Sequence, residues 1–158
     1  MLMGEIPIEA GFRHSGAAVR LVHNLKYRRS LAAGRVLAAA MVSGLQPGVT
    51  ALVPAPRSLA RRIVHGVDQA RFLAFELGRL TGLPVIDALS APLWWRRQAG
   101  AARQDRHMIG FRRTCEVPPD VVLIDDVLTT GMTLQSAIAV LDARRISVLV
   151  ATAAGSME

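Results

Sequence analysis

At 158 residues and 51% hydrophobic, with a mean hydropathy of +0.32, the chain can bury a sizeable core as one domain and is too apolar to be disordered. A net charge of +7, with Lys26 the single lysine among 19 basic residues, makes arginine the dominant cation; this suits phosphate or nucleic acid, and equally reflects an Arg-rich coding bias. One cysteine, Cys115, excludes an internal disulfide and a multi-cysteine zinc site, and no run reaches the roughly 18–20 apolar residues of a membrane span.

The opening MLMGEIPIEAGF carries an early acid and no basic lead into an apolar core. It is a poor signal peptide, so a cytoplasmic protein is expected. Residues 1–12 read as a loosely ordered lead-in to a single domain over 13–158. From Gly16 to Tyr27, Ala18, Leu21, Val22 and Leu25 recur at helical spacing. A second helix is predicted over Ser30–Ser43, ended by Gly44 and Pro47-Gly48. The alanine-rich run Val36–Leu45 is short and broken by polar residues, which fits a core helix better than a membrane span. Thr50–Pro54 reads as a short apolar strand that Pro54-Ala55-Pro56 breaks into a loop. Asp68 is placed to cap a helix whose inner face is Ala70, Leu73, Ala74 and Leu77, closed by Gly82 and Pro84.

A strand is expected at Pro84–Ala88, followed by an arginine-rich, poorly periodic stretch from Ser90 to Pro119. So long an irregular segment in a small domain suggests a functional lid. Strand Val121–Asp125, helix Thr133–Arg144 (Leu134, Ala137, Ile138 and Leu141 inward) and strand Ser147–Thr152 complete the order. Strands alternating with helices predict an α/β fold: an open, mostly parallel twisted sheet with helices on both faces. The unbroken runs Ala51-Leu52-Val53, Val121-Val122-Leu123-Ile124 and Val148-Leu149-Val150 fit strands covered on both sides.

The most informative segment is VVLIDDVLTTGMT, residues 121–133. An apolar strand runs into two carboxylates, Asp125 and Asp126, at the end where open α/β sheets bind ligands. The turn that follows carries Thr129, Thr130, Gly131, Met132 and Thr133 ahead of a helix. Backbone N–H groups at such a helix start favour an anion, glycine permits close approach, and hydroxyls add donors. The acids can accept hydrogen bonds from sugar hydroxyls or hold a hydrated Mg²⁺. A second candidate is Leu52-Val53-Pro54-Ala55-Pro56-Arg57-Ser58 followed by Arg61-Arg62, which sets cations just past a strand. The bland alternatives are a capped strand–helix junction and a solvated arginine surface.

Residues 121–133 resemble the PRPP-binding motif of type I phosphoribosyltransferases, PRPP being phosphoribosyl pyrophosphate. Within that superfamily the chain is similar to the ComF-type competence family. A basic run, Arg61-Arg62, leads into His65-Gly66-Val67-Asp68-Gln69-Ala70, in which Gly66, Gln69 and Ala70 match the family pattern and His65, Val67 and Asp68 depart from it. Lys26-Tyr27 echoes an early Leu-Lys-Tyr motif, and Arg96-Arg97-Gln98-Ala99-Gly100 with Arg106 and Phe111 a later arginine-rich stretch. The four-cysteine zinc-ribbon segment of many members is not in this sequence.

The resemblance implies a type I phosphoribosyltransferase-like domain that takes PRPP or a related ribose 5-phosphate, with Mg²⁺ as cofactor. Asp125 and Asp126 would hold the ribose hydroxyls and, through water, the metal. Thr129, Thr130, Gly131, Met132 and Thr133 would cradle the 5-phosphate, and Ala55, Pro56, Arg57, Arg61 and Arg62 the pyrophosphate. Enzymes of 6-oxopurine salvage carry an acid where this chain has Thr129, which argues against hypoxanthine or guanine as acceptor. Two readings stay open: transfer of the phosphoribosyl group to a nitrogenous acceptor, and a non-catalytic accessory role in DNA uptake that binds nucleotide or single-stranded DNA. A homodimer is a further candidate partner state.

Trp94-Trp95 read as core or loop anchors before a base-stacking wall, and His107 and Met108 as loop residues. His14 and His23 lack a second ligand at metal spacing and read as satisfied or solvated. With 4% aromatic residues the chain lacks the interleaved pattern of a dedicated RNA-binding sheet.

Overall fold

With eight of its nine residues buried, all but Val127, β6 (Asp120–Leu128) is the centre of the molecule. The structure, a computed structural model, describes residues 2–3, 6–57, 68–92 and 110–154. Around β6 lie β1 (Leu2–Met3), β2 (Ile6–Arg13), α1 (Gly16–Arg28), α2 (Leu31–Met41), β3 (Ala51–Pro54), α3 (Gln69–Thr81), α4 (Met132–Ile138) and β7 (Arg145–Ala153). The main sheet has the order β1-β2-β7-β6-β3. β2, β7, β6 and β3 are mutually parallel, and β1 runs antiparallel at the edge. A separate pair, β4 (Leu89–Ser90) with β5 (Arg112–Arg113), is antiparallel.

Side chains alternate across a strand, so each apolar run feeds two cores. Val53, Leu123, Val148 and Val150 meet Leu134 and Ala137 of α4 on one face. Leu52, Val122, Ile124 and Leu149 meet Leu25, Leu37, Met41, Leu73 and Leu77 of α1–α3 on the other. Each such leucine or isoleucine contributes about 2 kcal/mol by leaving water. The fold is therefore α/β, a four-stranded parallel sheet flanked by helices on both faces.

Local chemistry explains the helix ends. Ser30 caps α2 by accepting from the Ala33 N–H at 3.3 Å, and Asp68 caps α3 by accepting from the Arg71 N–H at 3.3 Å. Gly82, at φ +75°, closes α3 by donating its N–H to the Gly78 carbonyl at 2.8 Å. These match the expected bounds, with α2 continuing into a single tight turn at Val42–Gly44.

Several expectations are corrected. Within the lead-in expected over residues 1–12, the described residues 2–3 and 6–12 are instead strand, in β1 and β2, and β2 joins the sheet in register from Ile8↔Val148 to Arg13↔Ala153. The strand expected at Pro84–Ala88 is a single bridge, Val85 to Leu52. Pro84 has no N–H to offer, and the Ala88 N–H turns back onto the Ile86 carbonyl at 2.8 Å. The helix expected over Thr133–Arg144 is the seven-residue α4; its end tightens through Val140 N–H to Ala137 carbonyl and Leu141 N–H to Ile138 carbonyl, both 3.2 Å. The strand expected at Val121–Asp125 extends past both acids to Leu128.

Of the arginine-rich stretch, residues 93–109 lie outside the described residues. With them go the lid reading, Trp94-Trp95, Arg96-Arg97-Gln98-Ala99-Gly100, Arg106, His107 and Met108. The β4–β5 pair brings the two ends of that stretch together, and Phe111 is buried in the core. No described helix is long and apolar enough to cross a membrane.

Candidate functional site

Because β2, β7, β6 and β3 are parallel, their carboxyl ends gather at one edge of the sheet. β6 delivers Asp125 and Asp126 there. The Ala55 N–H donates to the Ile124 carbonyl at 2.8 Å, which carries the β3 ladder one residue further and swings the turn Ala55-Pro56-Arg57 past the acids. β2 ends in Arg13 and leads to His14, and β7 ends beside it with Thr152 and Ala153.

The acids are held in different states. Arg57 Nη2 lies 2.7 Å from Asp126 Oδ2, with side chains only 13% and 10% exposed, a charge-assisted pair largely out of water. The second oxygen, Asp126 Oδ1, accepts from the Val127 N–H at 3.0 Å, and Asp125 Oδ1 accepts from the Asp126 N–H at 2.8 Å. Burial, and then the negative charge of Asp126, hold the Asp125 carboxyl well above the usual carboxylate range; the Asp126 N–H and the Arg57 charge oppose this without offsetting it. The pair thus favours one negative charge, neutralised by Arg57.

The turn after β6 leaves Thr129 and Thr130 exposed. Gly131 takes φ +75°, a left-handed conformation natural to glycine, and no side chain caps the start of α4. A cleft of about 380 Å³ opens here, with Asp125, Asp126, Thr129 and Thr133 on its sheet side and Ala55-Pro56-Arg57 as one wall. Thr130, Gly131 and Met132 belong to the same turn but do not line it. Arg61 and Arg62, with Ser58, His65, Gly66 and Val67, lie outside the described residues. A smaller cavity of about 290 Å³ lies across the Ala55-Pro56-Arg57 turn, where Arg71 and Asp87 pair at 2.6 Å.

The cleft is also lined by residues to which sequence reasoning gave no ligand-binding role, Lys26-Tyr27 having entered only as a family echo. α1 contributes Val22, His23, Lys26 and Tyr27, and His14 lines the cleft with them. The His23 and Tyr27 ring centroids are 4.7 Å apart, and Lys26 Nζ is 5.4 Å from the Tyr27 centroid. The i, i+3, i+4 spacing of His23, Lys26 and Tyr27 was the available signal that they share a face.

Two adjacent carboxylates supply the hard oxygen donors that Mg²⁺ prefers, and that ion commonly keeps its waters and takes the remaining ligands from substrate phosphates. No cluster of three or more His, Cys, Asp or Glu side chains is placed to hold a metal among the described residues. The donor set therefore fits a hydrated ion arriving with a phosphate ligand better than a closed protein cage. Compared with known proteins, the chain matches no family model and no curated protein.

Proposed function

We propose that the cleft binds Mg²⁺-PRPP, or a related ribose 5-phosphate, and transfers the phosphoribosyl group to a nitrogenous acceptor with release of pyrophosphate, as a type I phosphoribosyltransferase of the ComF type. The observation that carries the reading is the acidic pair of VVLIDDVLTTGMT opening into the same cleft as Arg57. In this reading Thr129 and Thr133 donate hydroxyls to the 5-phosphate, and Gly131 and Met132 donate backbone N–H groups at the helix start. Asp125 and Asp126 accept from the ribose hydroxyls, and the one negative charge of the pair, released as Arg57 turns to the pyrophosphate, offsets positive charge developing on the sugar, as in other glycosyl transfers. Arg57 exchanges Asp126 for the pyrophosphate, stabilising the departing anion, and Arg61 and Arg62 are assigned the same role. Mg²⁺ bound with the ligand would neutralise pyrophosphate charge. Thr129, standing where an acid serves 6-oxopurine salvage, directs the acceptor away from hypoxanthine and guanine.

The test is thermal stabilisation by Mg²⁺-PRPP. A ligand at 100 times its Kd adds about 2.7 kcal/mol to the native state, and Asp125→Asn/Asp126→Asn is expected to remove that gain. The absence of any shift in the wild type would sink both the enzyme reading and a PRPP-sensing one. Pyrophosphate release across a panel of bases separates turnover from binding.

A second reading rests on the +7 charge: a non-catalytic accessory protein of DNA uptake that contacts single-stranded DNA. Its affinity for an oligonucleotide would fall steeply with rising salt through counterion release. Salt-insensitive or undetectable binding removes it.

A further inference from the structure

We propose that His14 takes the proton from the incoming acceptor nitrogen, with Thr152 positioning its ring; this rests on the phosphoribosyl-transfer reading and names the base that reading lacks. His14 Nδ1 lies 2.7 Å from Thr152 Oγ1, and Thr152 is fully buried. The His14 backbone is tied to the same strand, its N–H donating to the Ala153 carbonyl at 2.8 Å. Held at backbone and ring, the imidazole is pre-set, as catalytic groups need to be. It lines the cleft that contains Asp125 and Asp126. With Nδ1–H donating to Thr152, Nε2 is the nitrogen left to accept a proton.

Sheet order supplies the direction. Arg57 follows β3 and His14 follows β2, so β3-β6-β7-β2 sets them on opposite flanks of the acids on β6. Neighbouring strands lie about 4.8 Å apart, so the two flanks are far enough apart for separate groups to bind. A nucleophile displacing pyrophosphate approaches the sugar C1 from the face opposite the leaving oxygen. With pyrophosphate at Arg57, that approach is from the β7–β2 flank. The acceptor nitrogen forms its bond to C1, the C1–O bond breaks with its electron pair leaving on pyrophosphate, and the acceptor's N–H proton passes to His14 Nε2 and then to water. The carboxylates are poor substitutes: Asp125 and Asp126 both lie on β6 with the ribose-binding groups, two strands from the β2 end that carries His14.

The test uses the full chain with Mg²⁺-PRPP and a panel of nucleobases and ammonium, reading PRPP affinity and pyrophosphate release separately. His14→Gln is expected to keep the PRPP Kd within about threefold and to lose about 10²–10⁴-fold in kcat. Free imidazole is expected to restore part of the turnover of His14→Ala. Thr152→Val, which removes the positioning hydroxyl, is expected to lower kcat about tenfold at unchanged KM for PRPP, while Thr152→Ser stays near wild type. Undiminished kcat in His14→Gln overturns the proposal, as does loss of PRPP binding in that variant. Wild-type binding with no pyrophosphate release from any acceptor overturns the His14 assignment and leaves PRPP binding standing. No wild-type binding removes both.

Discussion

Asp125 and Asp126 are neighbours in sequence but sit in opposite electrostatic situations. Asp126 has a guanidinium at 2.7 Å, whereas Asp125 faces burial and its neighbour's negative charge. A carboxyl with a raised native pKa binds its proton more tightly folded than unfolded. Its contribution to stability is therefore complete below the unfolded value, about 3.9, and is lost as pH rises through the raised native one. Asp125→Asn, whose amide oxygen can still accept from the Asp126 N–H, is expected to stabilise the ligand-free protein by about 1 kcal/mol or more at neutral pH. The gain should shrink towards zero as pH falls to about 4. Urea unfolding of both proteins across that range checks the sign. At this scale the acids and Arg57 were legible because their signal is local: strand, acids, turn. His14 was not. Its hydrogen-bond partner, Thr152, is 138 residues away, and no local pattern announces that contact.

The helices show what periodicity conveys. α1–α3 were readable because their buried positions repeat at helical spacing against a fully covered sheet face. β2 carries a signal that was passed over: Ile6, Ile8, Ala10 and Phe12 alternate with Pro7, Glu9, Gly11 and Arg13 as in a strand, but only Ile8 is buried and Pro7 and Gly11 are poor strand formers. Glu9, which accepts from Gln46 Nε2 at 3.3 Å, and Pro7, near the sheet edge, further disguise it. α4 was overestimated because Leu141 remains inward-facing beyond the last α-helical turn. The packing of α2 on α3 has its own test at Gly34. A Cβ there would collide with the Phe72 ring and come within 3.0 Å of Leu25 Cδ1. Gly34→Ala gains helix propensity but must displace that ring, so a net loss of about 1–2 kcal/mol is expected, read as a lowered urea midpoint at unchanged slope.

For the whole molecule, the parallel sheet both builds the cleft and closes the fold. β7 is bordered by β6 and β2, and its burial on both edges depends on residues 6–13. A chain beginning at residue 14 would leave a long apolar strand with an open edge and unpaired backbone groups. Stability for a domain is about 5–15 kcal/mol in total, and losing one of four parallel strands removes much of it. The truncated chain is expected to lack a cooperative thermal transition by circular dichroism and to aggregate; a sharp transition within a few degrees of the full chain would show β2 to be dispensable.

The β2–β7 pairing also sets a timetable. Ile8 emerges from the ribosome about 140 residues before Val148, the residue it must lie against. At a synthesis rate of about 5–20 residues per second, β2 waits roughly 7–30 s without its neighbour. The cleft, bounded on one flank by the residue following β2, cannot exist on the nascent chain during that interval. Ligand can reach it only after β7 has been made, so stalling anywhere before residue 145 leaves an apolar sheet edge open to chaperones, proteases or other nascent copies.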